Sequence, residues 1–395
     1  MSETPVVTNL AAAKTRSPAR ARLLYIDNLR ILLTSLVVLH HLAISYGGPG
    51  SFYYVEQGPL SDPSAILMTL FLAINQSFFM GFFFMISSYF TPGSLERKGA
   101  GTFLVDRFKR LGIPLVFFVV VISPLLQYLL VLNRGIRVSF WQFLVRYLES
   151  YRGLDVGPLW FVETLLIFSV LFVLWRFIWS SSPSWDRGEM WIGNLAIALF
   201  AVGLGLVTFT VRIWLPVSWV WAPLNLQFPH FPQYIALYLI GIVAYRRGWF
   251  NTLKVSQGRL WLGVALFFIL VVFPALFVLG GGVEADLDLF FGGLHWQSLM
   301  FSLWEQIVGV SVIVFLLVWF RERFTGQGVL AKRMSGAAYT VYIVHAPILV
   351  LLVLALGSIQ LDLGLKFILV APVAVSLCFF IGHYVKKLPF TRGIL

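Results

Sequence analysis

An arginine and a histidine within one long apolar run are the residues of this chain whose types and spacing best suit chemistry. The run, residues 25–45, reads YIDNLRILLTSLVVLHHLAIS and contains Arg30 and His41. Eleven residues of α-helix rise about 16 Å in about three turns, so both side chains fall on nearly the same face at different depths. A neutral imidazole can accept a proton, and a guanidinium can bind an anion. Ionisable groups within a membrane helix usually face a bundle interior or a wet cavity.

Each of these residues also has a purely structural interpretation. A histidine in a multi-span protein is more often a packing or interhelical hydrogen-bond residue than a catalyst. His41 stands out because Arg30 shares its face, whereas the adjacent His40 points about 100° away and has no such partner. Arg30 lies one or two turns inside the membrane boundary and can instead extend to the interface as an anchor. Spacing alone leaves both interpretations of Arg30 open.

The composition places the chain in a membrane. It is 59% hydrophobic and 12% charged over 395 residues, whereas soluble domains are about a quarter charged. The net charge of +12 lies in short loops between apolar runs, which is typical of membrane topology and not of nucleic-acid binding. The single cysteine, Cys378, excludes a disulfide within the chain and a thiolate metal cluster. His40 and His41 point apart on a helix, so no metal site is expected.

Ten apolar runs predict an all-α polytopic membrane protein with about ten transmembrane helices around a polar cavity. The run 234–245 is short and counts only if its helix starts near His230. Residues 1–22 are predicted to be a disordered cytoplasmic tail, and residues 23–395 a single transmembrane domain. The runs span residues 25–45, 64–89, 114–132, 158–179, 191–214, 234–245, 260–280, 299–320, 337–356 and 363–384.

The basic residues predict the orientation of these helices. With the N-terminus inside, twenty-two lysines and arginines fall in cytoplasmic segments and six in outer segments, as the positive-inside rule requires. Both termini are therefore expected to be cytoplasmic. One outer loop, between the third and fourth runs, contradicts this pattern. Three explanations are open: the loop binds an anionic partner, the loop re-enters the membrane, or the loop has been assigned to the wrong side of the membrane. Its four arginines are Arg134, Arg137, Arg146 and Arg152.

Five segments resemble the membrane-bound acyltransferase-3 family. The sequence YIDNLRILLTSLVVLHH, with Arg30 and His41, is similar to the family's opening signature, and most similar to the branch that contains glucan-modifying succinyltransferases. The segment FFFMISSYF resembles an aromatic family segment, with Ser88 where glycine is usual. Further segments that resemble the family are RFKRLGIP at 107–114, GPLWFVETLL at 157–166 and AAYTVYIVHAPIL at 337–349. Together they cover nearly the whole chain.

The resemblance implies an O-acyltransferase of the cytoplasmic membrane. It would move an acetyl or succinyl group from cytoplasmic acyl-coenzyme A, a co-substrate with no bound cofactor, to a hydroxyl of a carbohydrate or similar acceptor at the outer face. His41 would act as the general base or accept the acyl group itself, and Arg30 would steady the donor. Arg107, Lys109 and Arg110 would bind the phosphates of coenzyme A, or only anchor the helix at the inner surface.

The remaining candidate residues have two interpretations each. Glu163 and Glu305 would bind substrate by orienting His41 or an acceptor hydroxyl, or would form interhelical contacts. His345 lies in a matched segment and is expected to hydrogen-bond across helices more readily than to catalyse. Arg212 or one of the outer-loop arginines is a candidate for binding a succinyl carboxylate. The alternative function is a transporter or flippase of a lipid-linked or small polar substrate, although the repeated halves of many transporters are not visible in the sequence.

Overall fold

The protein, in a computed structural model that describes residues 23–149, 155–178, 190–281 and 286–395, is all-α and polytopic. Nine helices in the described residues are long and apolar enough to cross a membrane, and a tenth, Phe231–Arg247, has 17 residues. The helices of ten or more residues are α1 Leu24–Ser45, α2 Asp62–Tyr89, α3 Ala100–Asn133, α4 Phe140–Glu149, α5 Trp160–Ile178, α6 Asn194–Arg212, α7 Phe231–Arg247, α8 Val255–Leu279, α9 Trp296–Arg323, α10 Val329–Ala355 and α11 Leu363–Val385.

The predicted fold class, an all-α protein with about ten membrane helices, is confirmed. Several of the helices extend beyond the predicted apolar runs. The short run 234–245 lies within a longer helix that starts at Phe231, directly after a 3-10 turn at Phe228–His230. A further helix, α4, was not predicted; its ten residues rise about 15 Å, too little to cross a bilayer. The predicted tail of residues 1–22 lies outside the described residues.

Prolines shape two of the membrane helices. The π-helical turns Phe108–Gly112 and Phe118–Ile122 of α3 each end two residues before a proline, Pro114 or Pro124. A third π-helical turn, Phe268–Val272, precedes Pro274 in α8 in the same way. Proline has no N–H and its ring clashes with the carbonyl four residues earlier, which lies inside each of these turns. The wider turn accommodates that clash and keeps the helix continuous.

Two helices, α1 and α2, form the centre of the bundle. The first contacts α2, α9, α10 and α11, and the second also packs against α7 and α9. Glycines allow the close approach: a Cβ at Gly241 of α7 would overlap Ser88 Oγ and the Met85 carbonyl of α2, and one at Gly309 of α9 would overlap the Ser77 carbonyl. Ser88, which replaces the glycine usual in the similar family, is fully buried. Close packing is kept there because the glycine is on the facing helix.

We expect the substitution Gly241→Ala to destabilise the bundle by about 1–3 kcal/mol, because the added methyl group has no space between α7 and α2. Gly263→Ala on α8 is the matched control, since nothing lies within 4 Å of a Cβ built there; this change is expected to be neutral or slightly stabilising through helix propensity. Thermal unfolding of both variants in the same detergent measures the difference. Equal midpoints would contradict close packing at Gly241.

Candidate active site

Two histidines from opposite ends of the chain meet in the interior. Nε2 of His345 on α10 lies 3.2 Å from Nδ1 of His41 on α1, and the two ring centroids are 5.0 Å apart. His345 is fully buried. His345 was expected to hydrogen-bond across helices, and the residue that it contacts is His41, the candidate base.

Backbone carbonyls determine which nitrogen of each ring carries the proton. Nδ1 of His345 lies 2.6 Å from the Tyr342 carbonyl, which can only accept a hydrogen bond, so this nitrogen donates. Nε2 of a neutral His345 is then an acceptor and receives the Nδ1–H of His41. The Val37 carbonyl, 3.0 Å from the same His41 Nδ1, is also an acceptor. The basic lone pair of His41 therefore lies on Nε2.

A large cavity opens on one side of this histidine pair; we call it the basic cavity. It has a volume of about 620 Å³ and reaches Thr34 on α1 and Tyr342 on α10. Six basic side chains line it: Arg30, Arg97, Lys98, Arg107, Arg110 and Lys386. The acidic side chains that line it are Asp27 and Asp106, in ion pairs with Arg30 at 3.8 Å and Lys98 at 2.5 Å. The cavity therefore has four positive charges in excess.

The Arg107 side chain and the backbone of Arg110, both on α3, are held in place at this cavity. Arg107 donates to the Thr91 hydroxyl at 3.2 Å and lies over the ring of Phe103 at 5.1 Å. The carbonyl of Arg110 accepts a hydrogen bond from the Tyr339 hydroxyl at 2.5 Å. Arg110 also lies in the first π-helical turn of α3, a type of distortion that is common at functional sites.

A smaller cavity lies on the other side of the histidine pair; we call it the aromatic cavity. It has a volume of about 410 Å³ and is lined by Phe52, Tyr53, Tyr54, Val55, Gln57, Leu130, Asn133 and Arg134. The Phe52 ring lies 4.7 Å from the His41 ring. Burial, and after it the Asp155 carboxylate that accepts its hydrogen bond, raises the pKa of Tyr53, so Tyr53 remains a neutral hydroxyl.

A chain of ring contacts through the histidine pair joins residues of the two cavities. Tyr342, whose ring centroid is 5.8 Å from that of His345, lines the basic cavity, and Phe52 beside His41 lines the aromatic cavity. The Tyr342 hydroxyl donates to the Pro158 carbonyl, which joins α10 to the start of α5. The histidines themselves line neither cavity, so each cavity reaches the pair through one aromatic side chain.

The predicted site residues divide into two groups. Arg30, Arg107 and Arg110 meet in the basic cavity, and His345 contacts His41. Glu163 is buried on α5 with Oε2 unpartnered among the described residues; it lies about 200° around the helix from the cavity-lining Phe161. Glu305 contacts a different set of residues. Among the described residues, the ring that lies within hydrogen-bond distance of His41 is that of His345, and an orienting role for either glutamate stays a prediction.

Glu305 belongs to a separate buried ion pair. Its Oε2 lies 2.6 Å from Nη2 of Arg212, and both side chains are almost fully buried. His230 lies 3.4 Å from the same guanidinium. Since Glu305 already occupies the guanidinium of Arg212, this arginine is poorly placed to bind a succinyl carboxylate. The pair joins α6 to α9. Removing one partner would be costly, because it would leave the other charge buried without compensation.

Sequence reasoning missed several residues around the site. Asn75 of α2 lies next to His40, with its Nδ2 3.1 Å from Nδ1 of the imidazole. Tyr342 had a signal, because it precedes His345 by one helical turn in the matched segment. Phe52 had none, since it lies in an irregular segment that tertiary contacts place over His41. Among the described residues no group of three or more potential metal ligands occurs.

The fold and the site define a polytopic α-helical membrane protein with an interior histidine pair that contacts one lining residue of each of two cavities. A family model described as an acyltransferase domain, acyltransferase 3, matches residues 23–383. The chain belongs to this family, and it is a membrane acyltransferase. Comparisons with curated proteins and with solved structures find no significant match.

We expect His345→Ala to lower the turnover of the acyltransferase by about 10²-fold, near the lower limit of what a general base contributes, because His41 then loses the group that orients it. His345→Gln keeps a side-chain carbonyl acceptor and should recover part of the rate. His383→Ala, near the end of α11 and outside both cavities, is the matched histidine control. Turnover and KM in nanodiscs distinguish the roles. If His345→Ala fails to fold and His345→Gln recovers no activity, the role of His345 is structural.

Proposed function

We propose that the protein is an O-acyltransferase that moves an acetyl or succinyl group from acyl-coenzyme A in the basic cavity to a hydroxyl of a carbohydrate acceptor in the aromatic cavity. The observation that carries the proposal is the position of His41 and His345 between the two cavities. The resemblance of residues 25–41 supports placement in the glucan-modifying succinyltransferase-like branch.

The basic cavity suits the donor. Coenzyme A carries several phosphate charges, and the cavity has four positive charges in excess. Guanidinium groups bind phosphate oxygens through two parallel hydrogen bonds. The volume of about 620 Å³ lies in the range of small-molecule sites. Arg30, on the same stripe of α1 as His41, would hold the donor below the histidine pair.

The positive-inside pattern supports a direction for the reaction. The basic cavity lies at the end of the bundle that the lysines and arginines assign to the cytoplasm, where acyl-coenzyme A is made. The aromatic cavity then faces the outside of the cytoplasmic membrane, and both termini are cytoplasmic. The acyl group would cross the membrane only as far as His41, and the acceptor would receive it from the outer side.

The chemistry follows from the tautomers of the two histidines. Nε2 of His41 takes the proton of the acceptor hydroxyl, and the hydroxyl oxygen forms a bond to the acyl carbon. The bond between that carbon and the coenzyme A sulfur breaks, and the thiolate takes the proton from His41. The imidazolium formed meanwhile donates its Nδ1–H to His345 Nε2 and the Val37 carbonyl, which stabilise it. A covalent acyl group on His41 is the alternative route.

We expect Arg107→Gln to raise KM for the acyl-coenzyme A about tenfold while turnover at saturation changes little, because one charge-assisted contact to a phosphate is lost. Arg259→Gln is the matched control, since Arg259 is an exposed arginine on α8 outside the cavity. Initial rates against donor concentration give both constants. If Arg107→Gln and Arg259→Gln behave alike, Arg107 is an anchor.

The decisive experiment supplies acetyl- or succinyl-coenzyme A, labelled in the acyl group, to the protein in nanodiscs with glycan acceptors. We expect His41→Ala to abolish the release of free coenzyme A, since the base is removed. The donor that is consumed identifies the acyl group, and label retained on the protein indicates an acyl-enzyme. Silence with every donor and acceptor would contradict the proposal and favour the transporter alternative, which consumes no donor.

A further inference from the structure

The arginines that contradict the positive-inside pattern lie beside the aromatic cavity. Arg134, at the end of α3, lines that cavity together with Asn133. Arg137 and Arg146 follow in the connection to α4 and on α4 itself, and all three side chains are exposed. The connection folds back onto α3, where the Tyr128 hydroxyl donates to the Val138 carbonyl at 3.0 Å. The fourth arginine, Arg152, lies outside the described residues.

No acidic side chain lines the aromatic cavity within the described part of the chain. Two carboxylates of neighbouring segments have other partners. Asp155 accepts hydrogen bonds from Ser123 and Tyr53, and Glu56 forms an ion pair of 2.5 Å with Lys366. Arg134 therefore contributes a positive charge to this cavity with which neither Asp155 nor Glu56 pairs.

The wall of the aromatic cavity is firmly held. Lys366, at the start of α11, is buried and donates to Glu56 and to the carbonyls of Leu356 and Ile359. The backbone N–H of Glu56 donates to the Ser45 carbonyl at 2.8 Å. The segment of residues 46–61, which carries Phe52, Tyr53 and Tyr54, is thus fixed before any ligand binds. Such preorganisation lowers the cost of binding.

The chemistry of the lining indicates the kind of ligand. Tyrosine and phenylalanine rings offer flat apolar faces with a polar edge, and Asn133 and Gln57 offer amide donors and acceptors for hydroxyl groups. A guanidinium adds a specific partner for a carboxylate or phosphate. A neutral sugar would leave this guanidinium without its preferred partner inside the cavity.

We propose that the aromatic cavity binds an anionic saccharide, a sugar that carries a carboxylate or phosphate, with its anionic group on Arg134 and a hydroxyl directed past Phe52 to His41. This inference rests on the proposed function in treating the saccharide as the acyl acceptor. The binding site itself is tested without acyl transfer.

The test measures binding of methyl glucuronide and of methyl glucoside to the protein in zwitterionic nanodiscs, with no acyl donor present. These probes differ in one carboxylate. We expect the glucuronide to bind about tenfold more tightly, and Arg134→Gln to remove that preference, because one charge-assisted contact is lost. Arg146→Gln is the matched control, an exposed arginine on α4 outside the cavity lining, and should keep the preference.

Equal binding of both sugars, or binding of neither, would overturn the inference. An equal effect of Arg134→Gln and Arg146→Gln would also overturn it, since the preference would then come from general surface charge. Nanodiscs with phosphatidylglycerol test the other source of phosphate: loss of glucuronide binding there would assign Arg134 to lipid headgroups. Acyl transfer to neutral sugars without an anion preference would overturn the inference and leave the proposed function intact. Binding of the anionic sugar without any acyl transfer would support the inference and contradict the proposed function.

Discussion

The hydrogen bond between His41 and His345 joins the first membrane helix to the ninth, and each of the two rings contacts an aromatic residue that lines one cavity. It is possible only because α1 and α10 are held in one register. Asn28, near the start of α1, donates to the carbonyls of Phe324 and Gly326 before α10. The Tyr342 hydroxyl fastens α10 to the Pro158 carbonyl of the turn before α5. A shift of one turn along either helix would separate the imidazoles by about 5 Å and remove the directed lone pair of His41.

Burial of charge in a membrane imposes the second constraint on this bundle. The cost of a buried ion is met by a close partner, as in the pairs Arg212–Glu305 and Lys366–Glu56. The first pair joins α6 to α9, and the second fixes the segment that covers His41. The first pair lies beside His230 and not beside His41 or His345, so the charges that stabilise the frame are separate from the groups that would react. The basic cavity differs, since its cations exceed its carboxylates.

Helix distortions give these cavities their shape. Regular helices pack closely and leave little space between them, whereas the π-helical turns before Pro114 and Pro124 change the path of α3 twice. The first of these turns carries Arg110 into the basic cavity, and the end of the same helix brings Arg134 to the aromatic cavity. One helix thus lines both cavities, on opposite sides of the histidine pair.

The sequence alone determined the membrane class and the approximate helix count and singled out His41, because apolar length and an ionisable residue within an apolar run are local properties of the chain. It also indicated Arg107, Lys109 and Arg110 as one basic group, of which Arg107 and Arg110 line the basic cavity together with Arg30. The tertiary structure decided which residue orients His41, since His345 lies 304 positions away and helical periodicity cannot show which faces of two distant helices meet. It paired Glu305 with Arg212 and placed Phe52 over His41 for the same reason: interhelical register depends on packing of the whole bundle.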